Sequence, residues 1–335
     1  MAEKGSVLKE SIEENPKESV NKYKKGLVFS KILKTNAEKD DDFYRLELRR
    51  LPNYVKGNRE SRGKGFRPLD GLFEITNFYI KIHSENNPLG ITNYIDVNRI
   101  LKIQYVSERY TGTNTEPTEE TVDIFWIRQY NLILMNGPKK LCEDAYNELT
   151  NINKVEFTDV VFKHDFLMWI PYRLNNAKGK LFPELFVNII ADGVTQNKSS
   201  TGIVPKRLVI DKSIEALMTL PAIYGLVNKH KFYSIGGDFD FRKEPLRVTI
   251  SNNGIHIKIT SLLKHKDHGE RCAIVFPFII EMVNVLKYWE GLDAPERYPD
   301  EAFLEEIENS FNNQILECQN NLEELKKEYK EKRET

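Results

Sequence analysis

From Asp300 to Arg333 the chain runs through 34 residues without a glycine or a proline. A stretch with no helix breaker and many strong helix formers reads as one long helix, expected over 299–333. Along it Phe311, Ile315, Cys318, Leu322, Leu325 and Tyr329 recur with 4-3-4-3-4 spacing. That is a heptad seam of about three repeats, the pattern of a coiled coil. Phe303, Leu304 and Ile307 widen the apolar stripe at the start. The seam either pairs with its twin in a homo-oligomer or lies back on its own domain, and the expectation is self-assembly or partner docking. The residues Phe311, Ile315, Cys318, Leu322, Leu325 and Tyr329 are the candidate oligomerisation set.

The same segment unbalances the charge. Residues 300–335 hold eleven acids and five cations, a balance of −6, whereas the whole chain stands at −1. The remaining 299 residues therefore carry about +5. Between Arg49 and Arg67 lie seven cations, Arg49, Arg50, Lys56, Arg59, Arg62, Lys64 and Arg67, against the single acid Glu60. Gly57, Gly63 and Gly65 are interspersed. A basic loop of this kind can track phosphates without reading bases. Lys56, Arg59, Arg62, Lys64 and Arg67 are the candidate nucleic-acid-binding residues. Tyr54 and Phe66 beside them could stack on a base. The competing reading is a solvated surface loop between two strands.

Around these features the sequence predicts an α+β fold: two mixed sheet/helix units followed by the long heptad-patterned helix. Residues 1–24 read as a disordered polar tail. The first unit, 25–153, is expected to be β-rich. Strands are read over Leu27–Leu33, Phe43–Leu48, Gly71–His83, Val97–Tyr110, Thr121–Ile127 and Asn131–Met135. A helix then starts at Pro138, with Leu141, Ala145, Leu149 and Ile152 on its buried face. The second unit, 154–295, is expected to hold helices over Asp165–Leu174 and Ser213–Lys229. It also holds strands over Val155–Phe157, Leu185–Ala191, Arg207–Ile210 and Cys272–Phe276, and a hairpin over 246–259. Asn253-Gly254 is the expected type I′ turn of that hairpin. A central helix, apolar almost all round, is expected at Pro277–Glu290.

Catalytic signatures are sparse. Asp238, Asp240 and Glu244 follow Gly236-Gly237 and could hold a divalent metal in a divergent nuclease, but no strand carries an acid followed by a D/E-x-K triple, and the acids read as loop decoration. His265, His268 and Glu270 have no third ligand at a recognisable metal spacing. Asn136-Gly137-Pro138-Lys139-Lys140 is a second anion candidate, but it lacks a phosphate-loop sequence and reads as an ordinary helix start. No catalytic residue, metal or cofactor is assigned.

Cys142, Cys272 and Cys318 are three distant thiols with no C-x-x-C pair, which fits a reducing cytoplasm. The first residues lack the apolar core of a signal peptide. The most apolar segment, Cys272–Leu286, is shorter than the ~20 residues of a membrane span, so no membrane partner is expected.

The apolar strand at Asn131–Met135, the helix after it, and the F-x-x-D-F-L-x-W segment Phe162 to Trp169 together resemble the recombination-associated RdgC family of DNA-binding proteins. The resemblance covers residues near 125–175. It implies association with DNA, by two chains that form a ring around the duplex with a positive inner surface and no nuclease activity, and it assigns no DNA-contacting residue here. The expectation is thus a non-catalytic, cytoplasmic nucleic-acid-associated protein, with DNA ahead of RNA, serving recombination, genome maintenance or anti-phage defence. A divergent metal nuclease and a protein-interaction scaffold built on the last helix are the alternatives.

Overall fold

The computed structural model describes residues 26–36, 46–67, 100–112, 116–152, 155–196, 207–210, 219–258, 260–265 and 268–334. The expected tail 1–24 and strand Gly71–His83 lie outside these residues, as does most of the expected strand Phe43–Leu48. What is described of that last strand, Leu46–Leu48, is a helical turn. Leu48 is buried and Leu46 is 62% exposed. Helical geometry buries Leu48 as well as a strand would.

Twelve strands among the described residues form one sheet: β1 (Leu27–Thr35), β2 (Lys64–Phe66), β3 (Ile100–Arg109), β4 (Thr118–Ile127), β5 (Leu132–Asn136), β6 (Phe157–Asp159), β7 (Lys180–Phe182), β8 (Leu185–Gln196), β9 (Arg207–Ile210), β10 (Lys231–Phe241), β11 (Glu244–Ser251) and β12 (Gly254–Ile257). Their order is β2-β3-β4-β5-β1-β12-β11-β10-β8-β7, with β6 on β1 and β9 on β8. The first strand joins the two halves. Its residues Leu27–Phe29 pair with β12, while Phe29–Lys34 pair with β5 on the other edge. The two halves expected from the sequence therefore share one sheet. The fold is α+β and ends in a long helix.

Seven helices accompany the sheet among the described residues: α1 (Lys139–Leu149), α2 (His164–Asn176), α3 (Leu220–Val227), α4 (Ser261–Lys264), α5 (His268–Gly291), α6 (Ala294–Arg297) and α7 (Glu301–Glu334). Helix α1 covers one face of the first half, where Leu141, Cys142, Ala145 and Leu149 meet Leu33, Ile124, Trp126, Ile133 and Met135. The other face packs on α5. Phe276 touches Phe125 and Phe29 at ring separations of 4.9 and 6.1 Å. Two residues on, Phe278 touches Phe239 and Phe241 of the second half. One helix thus closes a core shared by both halves.

Several sequence expectations need correction here. Cys272–Phe276 is helical, part of α5, and Pro277 lies inside that helix. A short apolar run bounded by proline reads as a buried strand or a buried helix alike. Proline removes one helical hydrogen bond, and the packing of Phe276 and Phe278 holds the helix through it. Residues Arg271–Gly291 are long and apolar enough to cross a bilayer, yet 83% of the apolar window is buried inside the protein. Pro138 sits at the N-cap of α1, one residue before the helix.

The hairpin is present, but its turn is Asn252-Asn253, with Ser251 paired to Gly254. A Cβ on Gly254 would meet the Phe29 carbonyl at 2.2 Å, so this glycine serves close approach to β1. The adjacent pair of positive φ angles that a type I′ turn demands occurs instead at Arg242 (54°) and Lys243 (66°), between β10 and β11. Asp238 and Asp240 lie on β10, paired with β11, not on a loop.

Candidate nucleic-acid interface

The basic segment closes against the outer edge of the first half. Lys64–Phe66 forms β2, antiparallel to β3. The chain before it folds over that strand: Phe66 N–H donates to the Pro52 carbonyl at 2.8 Å, and Tyr54 N–H to the Phe66 carbonyl at 2.5 Å. Asn58 makes a side-chain turn, its Oδ1 accepting from the amides of Glu60 (3.0 Å) and Ser61 (2.7 Å).

The fixed point of the loop is Glu108 on β3, 2% exposed. Its carboxylate accepts from the Gly63 amide at 2.7 Å, the Tyr54 hydroxyl at 2.9 Å and the Gly57 amide at 3.2 Å, with Tyr110 at 3.5 Å. Burial pushes this carboxyl up, but the four donors outweigh burial and hold it below the usual carboxylate range. Burial, and then the same carboxylate, raise the Tyr54 phenol well above its ordinary value. The glycines are required sterically. A Cβ on Gly57 would lie 2.1 Å from the Ser61 carbonyl, and one on Gly63 would lie 2.4 Å from that of Val55. These glycines make a close-packed turn around an anion.

The seven cations divide. Arg50 pairs with Glu47 at 2.6 Å and Lys64 with Glu148 of α1 at 3.0 Å. Arg67 pairs with Glu119 of β4, donates to Gln104 at 3.3 Å, and lies over the Tyr54 ring at 5.2 Å. Arg59 donates to the Gly112 carbonyl, which leaves its charge uncompensated. Arg49, Lys56 and Arg62 face solvent. Among the described residues no acid pairs with Arg49, Lys56, Arg59 or Arg62. Phe66 is fully buried, edge-on to Tyr105 at 5.1 Å, so it offers no face to a base. Tyr54 has one face under Arg67 and its hydroxyl on Glu108. The stacking expectation therefore fails for Phe66. Glu108 was not found from the sequence, where an acid in an alternating strand carries no signal of burial.

The other candidates sit elsewhere. Lys139 reaches Tyr233 at 3.5 Å, beside an open cleft of about 520 Å³ lined by Lys163, His164, Lys229 and Lys231 at the start of α2. His164 Nδ1 accepts from the Phe232 amide at 2.9 Å, and burial lowers its pKa. The cleft's lysines are exposed, and Asp165 shares its lining. Asp238 is engaged by Arg247 at 3.0 and 3.1 Å. Among the described residues no three His, Cys, Asp or Glu side chains converge as a metal site would require. Phe162, Phe166, Leu167 and Trp169, which carry the RdgC-like pattern, are all buried core.

The seam residues of α7 separate by position. Phe303 and Ile307 are buried, and Phe311 packs at the edge of the core. Ile315 is half-buried and Cys318 exposed, while Leu322, Leu325 and Tyr329 are 51%, 46% and 58% exposed. Compared with known proteins, the chain matches no family model and no curated sequence.

Proposed function

We propose that this is a non-catalytic nucleic-acid-associated protein that holds the phosphate backbone, DNA ahead of RNA, on the loop preceding β2. The observation that carries this reading is the pinning of the loop backbone by Glu108 beneath Lys56, Arg59 and Arg62. A preorganised loop loses little entropy when a phosphate arrives, so its cations bind better than those of a flexible tail. The ion pairs of Lys64 and Arg67 involve exposed or half-exposed side chains. Such pairs are worth about 0–1 kcal/mol, so phosphate oxygens can replace the carboxylates. The resemblance near 125–175 points the same way.

Binding through these five cations gives a slope of log K against log salt of about −4.5, or roughly a 500-fold loss between 50 and 200 mM. Fluorescence anisotropy with labelled duplex and single-stranded DNA across that range measures it. The Lys56→Ala/Arg59→Ala/Arg62→Ala triple variant should weaken binding and flatten the slope by about three units. Unchanged affinity in this variant, at intact fold, would remove the loop from the interface.

A further inference from the structure

Helix α7 is about 51 Å long at 1.5 Å per residue, but among the described residues its packing on the core ends at Phe311. Phe303 packs edge-on to Tyr172 at 5.3 Å, Asp300 accepts from the Tyr172 hydroxyl at 3.3 Å, and Asn175 donates to Glu306. Beyond Ile307 the helix has no buried residue. The apolar seam nonetheless continues for three more turns and more through Ile315, Cys318, Leu322, Leu325 and Tyr329. An isolated helix that exposes such a seam is marginal in water, because its stability comes from packing the apolar face.

We propose that this seam is covered by the same seam of a second copy, in an antiparallel two-helix coiled coil. Two observations fix the occupant and the direction. The first is charge. From Glu301 to Leu325 the only charged residues are Glu301, Glu305, Glu306, Glu308, Glu317, Glu323 and Glu324, whereas Lys326–Glu334 holds five cations and three acids. A parallel pair aligns acidic segment with acidic segment. An antiparallel pair keeps the two basic tips apart, lays each beside the stretch of the other that carries Glu317, and also opposes the helix dipoles.

The second is the position of the body. Phe303, Ile307 and Phe311, which face the body, centre about 40° from the seam at 100° per residue. The same side of the helix therefore carries the body first and the seam afterwards. Two parallel helices joined seam to seam would bring both bodies into one space. Antiparallel helices hold them at opposite ends. In the alternating register that stops each tip short of the partner's Phe311, which packs on the body, Leu322 of one copy meets Leu325 of the other, Cys318 meets Tyr329 and Ile315 meets Lys332.

Cys318 makes the arrangement testable, because Cys142 and Cys272 are buried. Sedimentation of the full chain at about 10 µM should give a dimer. The Leu322→Glu/Leu325→Glu variant should be monomeric with an unchanged near-UV spectrum, since among the described residues neither side chain belongs to the core. Under mild oxidation the wild type should form no disulfide dimer, and Tyr329→Cys should form one through Cys318. A monomeric wild type would overturn self-association and leave the seam to another protein. Efficient Cys318–Cys318 cross-linking of the wild-type dimer would overturn the antiparallel direction.

Discussion

The carboxylate of Glu108 lies 2.7 Å from the backbone amide of Gly63, forty-five residues earlier in the chain. The basic loop is thereby built around a buried negative charge, and its own cations point the other way. Gly63 has no side chain at that point because a Cβ would strike the Val55 carbonyl and the Glu108 carboxyl carbon.

Replacing Glu108 by Ala leaves the buried amide of Gly63, and with it Gly57 and Tyr54, without their acceptor. The expected cost is about 1–3 kcal/mol, read by chemical denaturation, with faster amide exchange at Gly57 and Gly63. Glu108→Gln should recover part of the loss. The folded-state pKa of Glu108 lies below its unfolded value. Its contribution is therefore present above the unfolded pKa and is lost as pH falls through the folded one. Loop exchange should accelerate on acidification in the wild type and much less in Glu108→Gln. An equal acid response in both would refute this account.

The ion pairs that tie down two loop cations make a prediction with the opposite sign. Glu148→Gln releases Lys64 and Glu119→Gln releases Arg67, so each variant should bind DNA more tightly, by roughly 2- to 5-fold at low salt. Arg62→Ala should weaken binding. Titrations of the three variants in one buffer compare them directly, and tighter binding in none of the acid variants would count against the loop.

Lys31 on β1 is almost fully buried. Its ammonium reaches Asp159 at 2.9 Å and Glu143 at 3.2 Å and sits over the Tyr146 ring at 4.2 Å. Burial lowers its pKa, but these carboxylates overcome it and the net shift is upward. Its stabilisation is thus complete below the unfolded pKa and disappears as pH rises through the folded one. Lys31→Ala should cost about 3 kcal/mol, the low end for a broken buried pair, because both carboxylates still reach water. Urea denaturation at pH 7 and again at a pH well above the ordinary lysine value of 10.5 should show the difference narrowing at the higher pH.

Phe276 bridges β1 and β4 from α5, and its neighbour Phe278 holds β10. Phe276→Ala should cost about 3–5 kcal/mol through the cavity it leaves. Because one sheet and one helix span both halves, the variant should still unfold in a single transition by fluorescence and circular dichroism. Two separated transitions would indicate that the halves are independent.

Local pattern made much of this architecture readable in advance. The β-branched and aromatic residues of Leu27–Leu33 and Thr121–Ile127, the helical spacing of Leu141, Ala145 and Leu149, and the breaker-free run of the last helix all specify their elements through local pattern. Pattern failed where the deciding contact was remote. Cys272–Phe276 is apolar on every side and could be a strand or a helix until Phe125 and Phe29 are seen to pack on it. Asn253-Gly254 carried the turn signal, yet the approach of the Phe29 carbonyl claims Gly254 and moves the turn back by one residue.

The sequence by itself determined the charge asymmetry, the seven cations of the basic segment and the heptad seam, because each is a property of residue identity and spacing. Only the tertiary structure decided which cations are free and which are held by Glu119 and Glu148, that Phe66 is core, and that among the described residues the seam leaves the core after Phe311. Those outcomes depend on residues brought together from distant parts of the chain. Glu108, an unremarkable acid in an alternating strand, becomes the centre of the loop only when Gly57, Gly63 and Tyr54 fold onto it.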